Sequence, residues 1–132
     1  MTNEFVLEAI SREFPEAVIA SSEPYGFLTV EIKKEDIKKV IHHLKSSTLN
    51  FMFLTDICGI HYPEQEGREL GVVYHLHNLE SNTRLRLKTF LPKDNPETET
   101  ITDLYAGANW MERETYDFYG IIFKGHPDLR VI

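Results

Sequence analysis

Three acidic side chains near the C-terminal end are the first candidates for chemistry in this chain. Glu112, Glu114 and Asp117 lie close together in the sequence, and two carboxylates facing each other across a cleft can act as acid and base in glycoside hydrolysis. Neighbouring turns of a single helix rarely place two acids on opposite sides of a substrate. We therefore do not favour a glycosidase.

Two histidines and one cysteine are the other groups with chemical potential. His75 and His77 are two positions apart in a strand-like segment, so both side chains project from one face and could bind zinc. A zinc site needs a third and usually a fourth ligand, and no spacing in the nearby sequence supplies one. A metal-dependent enzyme is therefore the weaker alternative.

The remaining patterns argue against a cofactor. Cys58 is the single cysteine, which excludes an internal disulfide and any four-cysteine iron–sulfur or zinc site, and we expect it to be a small buried residue. The sequence contains neither a glycine-rich phosphate loop nor a nucleophile elbow. We predict no catalytic, cofactor-binding or metal-binding residue in this chain.

The three acids belong to a segment with the features of a helix with defined ends. Asn109 is a good N-cap, and Glu112 lies three residues later, where its carboxylate can reach back to the cap. Gly120 follows Tyr119 and can end the helix in the left-handed conformation. Beyond it, an extended segment should carry Ile121 and Phe123 on one side.

The helix should present two faces, because successive residues are rotated by about 100°. One face is a charged stripe that includes an indole, and it comprises Trp110, Arg113, Glu114 and Asp117. The other can be buried and comprises Met111, Thr115, Phe118 and Tyr119. An ion pair between Arg113 and Asp117 is possible. Trp110 either anchors an interface with another protein or covers the edge of its own core.

This segment resembles the signature of the 30 kDa subunit family of respiratory complex I, the proton-pumping NADH:quinone oxidoreductase. Membrane-bound hydrogenases share that signature. The matching positions are Glu112, Arg113, Glu114, Asp117, Phe118, Tyr119, His126 and Arg130. The segment Leu54 to Tyr62 is similar to a strand-and-turn segment of the family, with His61 where an aspartate is usual.

The resemblance implies a scaffold subunit without catalytic residues, iron–sulfur cluster, flavin or quinone of its own. Such a subunit docks the 49 kDa-type subunit of the hydrophilic arm, beside the subunit with the terminal cluster, and so supports electron transfer from NADH to quinone. The equivalent subunit of a membrane-bound hydrogenase or of a deazaflavin- or ferredoxin-linked complex remains an alternative. The expected partner-binding residues are Trp110, Glu112, Arg113, Glu114, Asp117, Gly120, Phe123, Gly125, His126, Pro127 and Arg130.

Composition is consistent with one domain over residues 1–132 that does not bind polyanions. Fourteen basic and twenty-one acidic residues give a net charge of −7, which repels nucleic acid and anionic lipid.

No apolar run approaches the roughly 20 residues of a transmembrane helix, and the N-terminus does not resemble a signal peptide. We expect a peripheral protein on the cytoplasmic side of the membrane, attached through its partners. Family members usually continue into a basic tail, which we expect to be missing here.

The hydrophobic pattern predicts an α+β domain in the order α-β-β-α-β-β-β-α, with helices packed on a mixed or mainly antiparallel sheet. The predicted helices cover residues 4–14, the repeat Ile37, Val40, Ile41 and Leu44, and the signature segment. A short strand at Val18 and Ile19 should form a hairpin with Phe27–Ile32, and Phe51–Ile60 should form one with Val72–Leu79. Residues 92–100 read as a loop, and Thr100 as the cap of a short helix that ends at Gly107.

The strand predicted over residues 83–90 has one basic face. Arg84, Arg86 and Lys88 alternate with Leu85 and Leu87, as in a half-buried strand. Two interpretations remain open. The charges either protect an edge strand from pairing with other chains or form a docking stripe for an acidic partner.

Overall fold

The computed structural model describes residues 1–129, so the expected site residue Arg130 lies outside the described residues. Within these residues, three α-helices and seven strands follow the order that the hydrophobic pattern predicts, with two additional short strands. In chain order the elements are α1 Asn3–Glu13, β1 Val18–Ser22, β2 Thr29–Ile32, α2 Ile37–Ser46, β3 Phe53–His61, β4 Leu70–Asn78, β5 Thr83–Leu91, β6 Glu97–Glu99, α3 Ala108–Tyr119 and β7 Ile122–Lys124.

The main sheet has five strands in the order β1-β2-β5-β4-β3. Both predicted hairpins form, since β1 pairs with β2 and β3 pairs with β4 in antiparallel fashion. The pairing of β2 with β5 is parallel, which makes the sheet mixed and confirms the predicted α+β class. β5 lies at the centre of the sheet, between β2 and β4. The interpretation of β5 as an edge strand is therefore wrong.

Side-chain alternation divides the sheet into a core face and an outer face. On β4 and β5 the core-facing residues, such as Tyr74, Leu76, Leu85 and Leu87, are buried. They join the buried residues of α1 and α2 in one hydrophobic core, including the predicted α2 repeat of Ile37, Val40, Ile41 and Leu44. Apart from the buried Gly71, the alternate residues of β4 and β5 are half-exposed or exposed. No helix covers that outer face within the described part of the chain.

The third helix packs on the core-facing side of β3. Gly59 is paired with the buried Val72 across the sheet, and a Cβ atom at position 59 would lie 2.3 Å from the Tyr119 ring. The absence of a side chain at Gly59 thus allows the C-terminal turn of α3 to approach the strand closely. This contact sets the position of α3 along β3.

A second, two-stranded sheet flanks α3. β6 and β7 are parallel, with Thr98 opposite Phe123. The prediction of a loop over residues 92–100 missed β6, whose three residues are too few to show a period. The predicted short helix after Thr100 is wrong, because residues 102–104 form turns. Within residues 1–129, no helix has the length and apolar character needed to cross a bilayer.

Candidate functional site

The signature helix begins differently from the prediction. Its N-cap is Gly107, without a side-chain cap, and Asn109 lies inside the helix. The Glu112 side chain does not bond to the first turn of its own helix. It is completely buried, and its carboxylate accepts hydrogen bonds from the Ile101 backbone N–H at 2.8 Å and from the Thr100 hydroxyl at 2.5 Å. The predicted capping box is therefore wrong, and Glu112 instead joins α3 to the segment before it.

Burial dominates the electrostatics of Glu112. Removal of the carboxyl group from water raises its pKa, although the Ile101 N–H and the Thr100 hydroxyl oppose this by stabilising the ionised form. The Tyr74 hydroxyl is also buried, and it has no hydrogen-bond partner among the described residues. The buried Glu112 carboxylate therefore ties α3 to Thr100 and Ile101.

The end of the helix follows the prediction. Gly120 adopts the left-handed conformation with φ 71°, and its N–H donates to the Tyr116 carbonyl. The chain then reverses into β7, where Ile121 and Phe123 are buried while Ile122 between them is partly exposed. The expectation that Ile121 and Phe123 point the same way is confirmed. Phe123 thus fixes the exit of the helix to the core.

His126 connects the turn after β7 to the first turn of α3. Its Nδ1 accepts a hydrogen bond from the Asp128 N–H at 2.9 Å, so its Nε2 carries the proton and donates to the Asn109 carbonyl at 3.0 Å. Gly125 precedes it with φ 85°, a value that favours glycine. Pro127, the next expected site residue, is exposed.

Five side chains on the outer side of the helix form a continuous set, which we call the α3 surface: Trp110, Arg113, Glu114, Asp117 and Phe118. Trp110 is 52% exposed and Phe118 is 80% exposed. The Arg113 guanidinium lies over the Trp110 ring, 5.4 Å from its centroid. The expectation that Phe118 lies on the buried face is wrong, because the buried face of the helix is formed by Ala108, Glu112 and Thr115. No ion pair joins Arg113 to Asp117 in the described structure.

The expected site residues therefore separate into two groups with different roles. Glu112, Gly120, Phe123, Gly125 and His126 fix the helix and its exit. Trp110, Glu114 and Asp117 are exposed, and Arg113 is half-buried beside Trp110. The acids cannot flank one substrate, since Glu112 is buried and the other two are exposed. Sequence reasoning missed Thr100 and Ile101, the anchors of Glu112, because contacts across eleven residues leave no local pattern.

The outer face of the main sheet brings together a second group of polar side chains. Asp56 lies opposite His75 across β3 and β4, and ligand atoms of Asp56, Cys58 and His75 all lie within 4.8 Å of one another. The expectation that no further ligand lies near His75 is therefore wrong. Cys58 is also only partly buried, contrary to prediction.

Hydrogen bonds within this group oppose the binding of a cation. The Cys58 thiol donates to Asp56 at 2.9 Å, and burial together with this bond raises the pKa of Cys58 to about 11. The Arg86 Nε donates to the His75 Nε2 at 3.1 Å. Burial and the Arg86 charge lower the pKa of His75, and the same positive charge would repel a metal ion. We interpret the group as a hydrogen-bonded row rather than a metal site.

Comparison with known proteins connects these features to a family. Residues 30–132 match the family described as respiratory-chain NADH dehydrogenase, 30 Kd subunit. An F(420)H(2) dehydrogenase subunit from Methanosarcina mazei is 40% identical over 126 residues, which make up 95% of this chain and 78% of that protein. An NADH-quinone oxidoreductase subunit from Xanthobacter autotrophicus is 43% identical over 122 residues, 92% of this chain but 57% of the longer relative.

Solved structures give the same result for the fold. The trypsin-resistant fragment (1-134) of Nqo5 superimposes with a TM-score of 0.84 and 34% identity, covering 98% of this chain and all of that one. Part of the membrane-bound sulfane sulfur reductase, an archaeal respiratory membrane complex, superimposes with a TM-score of 0.77 and 28% identity, covering 93% of this chain and 71% of the matched polypeptide. This chain therefore belongs to the complex I 30 kDa subunit family, together with related subunits of F420H2 dehydrogenase and other membrane-bound respiratory complexes.

Proposed function

We propose that this chain is a scaffold subunit in the hydrophilic arm of a proton-pumping NADH:quinone oxidoreductase. It supports electron transfer from NADH to quinone by docking the 49 kDa-type subunit, beside the subunit with the terminal cluster. It binds no redox cofactor itself. It lies on the cytoplasmic side of the membrane and reaches the membrane only through the complex.

The α3 surface is the observation that carries this proposal. Trp110 and Phe118 are large, exposed aromatic residues, and Glu114 and Asp117 lie beside them as exposed acids. Aromatic residues with a polar rim are typical of protein–protein interfaces, where tryptophan and arginine often contribute most of the binding energy. The inner side of the same helix is fixed by the buried Glu112 and by Tyr119 against Gly59. A partner would therefore meet a preorganised surface.

Assembly of the complex with variants of the α3 surface tests the proposal. The double variant Trp110→Ala/Phe118→Ala should reduce the amount of this chain that co-purifies with the 49 kDa-type subunit by at least about tenfold. The thermal stability of the purified chain should change little, because both side chains are largely exposed. Phe5→Ala is a matched control, since Phe5 is an exposed aromatic residue on α1.

Arg113→Ala and Asp117→Ala distinguish docking from a structural role. Docking predicts strongly reduced co-purification for both variants, with an unchanged melting temperature for Asp117→Ala and only a small decrease for Arg113→Ala, which loses its contact with Trp110. Normal assembly together with a lowered melting temperature would show instead that these residues only stabilise the domain, and the proposal would then be wrong.

A complex with a different electron donor is the second candidate. The F(420)H(2) dehydrogenase relative and the NADH-quinone oxidoreductase relative match this chain at similar identity. The scaffold role is the same in both cases. Assays of the purified complex with NADH, a reduced deazaflavin and reduced ferredoxin as electron donors decide between them. Genes for NADH-binding flavin subunits beside the gene for this chain would also identify the NADH-linked complex.

A further inference from the structure

The central strand β5 presents three cations on the outer face of the sheet. Arg84, Arg86 and Lys88 occupy alternate positions, while Leu85 and Leu87 between them are buried in the core. Both edges of β5 are already paired, with β2 and β4, so these charges do not serve to protect an edge. Three like charges on one face of a strand repel one another. Of the two interpretations of this basic face, a docking stripe for an acidic partner is the one that remains.

None of these cations has a carboxylate partner within 4.0 Å in residues 1–129. The nearby acids are already engaged. Glu31, which lies opposite Lys88, accepts two hydrogen bonds from Arg68 at 2.7 and 3.2 Å. Asp56 accepts a hydrogen bond from the neutral Cys58 thiol and so keeps its negative charge. Arg68 therefore balances Glu31, and Asp56 offsets one of the three cations, which leaves an excess of positive charge on the outer face although the chain as a whole has a net charge of −7.

The guanidinium of Arg86 is held in a defined position. It stacks over the Phe27 ring, 4.5 Å from the centroid, and its Nε donates to His75. Its two terminal nitrogens make no hydrogen bond to any described residue. A guanidinium with this free edge can bind a carboxylate through two parallel hydrogen bonds.

A concave site lies beside this group. Its volume is about 220 Å³, and its lining consists of Phe27, Thr55, His75, Leu76, His77 and Arg84. It combines apolar ring surface with imidazole and guanidinium nitrogens, a composition that suits the methylene stem and carboxylate of an acidic side chain.

We propose that this outer face, defined by Arg84, Arg86, Lys88, His75 and His77, binds an acidic segment of a neighbouring protein subunit. It is a second docking surface, separate from the α3 surface, because α3 packs on the core-facing side of the same sheet. The inference rests on the proposed function, since it requires the chain to act within a complex.

Carbodiimide cross-linking of the purified complex tests this directly, because the reagent joins an amine to a carboxylate in direct contact. Lys88 should become linked to an aspartate or glutamate of another subunit. Amine acetylation of the intact complex should also label Lys88 several-fold less than in the separated chain. A Lys88 that stays unlinked and equally reactive in both states would overturn the inference.

Charge reversal separates this inference from the proposed function. Arg84→Glu combined with Lys88→Glu should reduce co-purification by about tenfold, whereas Lys33→Glu, a charge reversal at an exposed site, should not. If the reversal leaves assembly intact while Trp110→Ala/Phe118→Ala disrupts it, the inference fails and the proposed function stands. If neither variant affects assembly, both are wrong.

Discussion

The Arg113 guanidinium lies 5.4 Å from the centroid of the Trp110 ring, one helical turn away on the exposed side of α3. The Arg113 Nε is buried without a hydrogen-bond partner among the described residues. Contact with the indole therefore positions the guanidinium more than hydrogen bonding does. The contact between Trp110 and Arg113 is therefore already present in the chain by itself.

A double-mutant cycle measures this contact. Trp110→Ala, Arg113→Ala and the combined variant should give a coupling of about 0.5–1 kcal/mol in the free energy of unfolding, the value for a cation over an exposed ring. Urea unfolding of the four proteins provides the numbers. Arg113→Lys should retain part of the coupling, and strictly additive effects would show that the contact contributes nothing.

Gly59→Ala should destabilise the domain, because the new methyl group would lie 2.3 Å from the Tyr119 ring. We expect a loss of about 1–3 kcal/mol, the range for overpacking. Gly107→Ala is the control, since its nearest neighbour would be the Met111 methyl at 3.9 Å. Adding Tyr119→Ala to Gly59→Ala should recover part of the loss. Urea denaturation that shows no difference between the two glycine variants would contradict this account of the contact.

Glu112 should make stability depend on pH. Because its pKa is raised in the folded protein, the folded state binds this proton more tightly than the unfolded chain does. The resulting stabilisation is complete below the ordinary glutamate pKa of about 4.3 and is lost as the pH rises through the folded-state value. Glu112→Gln keeps the size of the side chain and removes this titration.

Urea unfolding of both proteins over a pH series tests the prediction. The wild-type protein should lose stability relative to Glu112→Gln as the pH rises above the ordinary glutamate range. A constant difference across the series would mean that folding does not perturb this carboxyl group.

Two buried tyrosines should respond in opposite ways to loss of the hydroxyl group. The Tyr74 hydroxyl has no partner among the described residues, so Tyr74→Phe should be neutral or stabilising. The Tyr105 hydroxyl donates to the Phe51 carbonyl at 2.6 Å, and Tyr105→Phe should therefore destabilise by about 1 kcal/mol. Thermal unfolding compares the two variants, and equal effects would be inconsistent with these environments.

The predictions that succeeded depend on local patterns. Ile37, Val40, Ile41 and Leu44 repeat at helical spacing, and all four are buried in α2. Gly120 follows the last helical residue and adopts the left-handed conformation that its position requires. In both cases the information lies within a few neighbouring residues, so the sequence alone was sufficient.

The predictions that failed concern contacts between distant segments. The spacing of Glu112 from Asn109 fits a capping box, but Thr100 and Ile101 provide better donors from outside the helix. In the sequence, the basic face of β5 is as typical of an edge strand as of a central strand. Only the pairing with β2 shows that β5 is central. Helical rotation places Phe118 on the same side as Met111, Thr115 and Tyr119, but the buried face is centred on Ala108, Glu112 and Thr115, which leaves Phe118 exposed.

The residues that hold α3 in place are almost entirely different from the residues that α3 exposes on its outer side. Glu112, Gly120 and His126 determine its orientation, whereas Trp110 and Phe118 contribute little to it. Substitutions at the displayed positions can therefore change the surface of α3 while the architecture is retained. This separation agrees with the similarity of the chain to subunits of an F(420)H(2) dehydrogenase, an NADH-quinone oxidoreductase and a membrane-bound sulfane sulfur reductase.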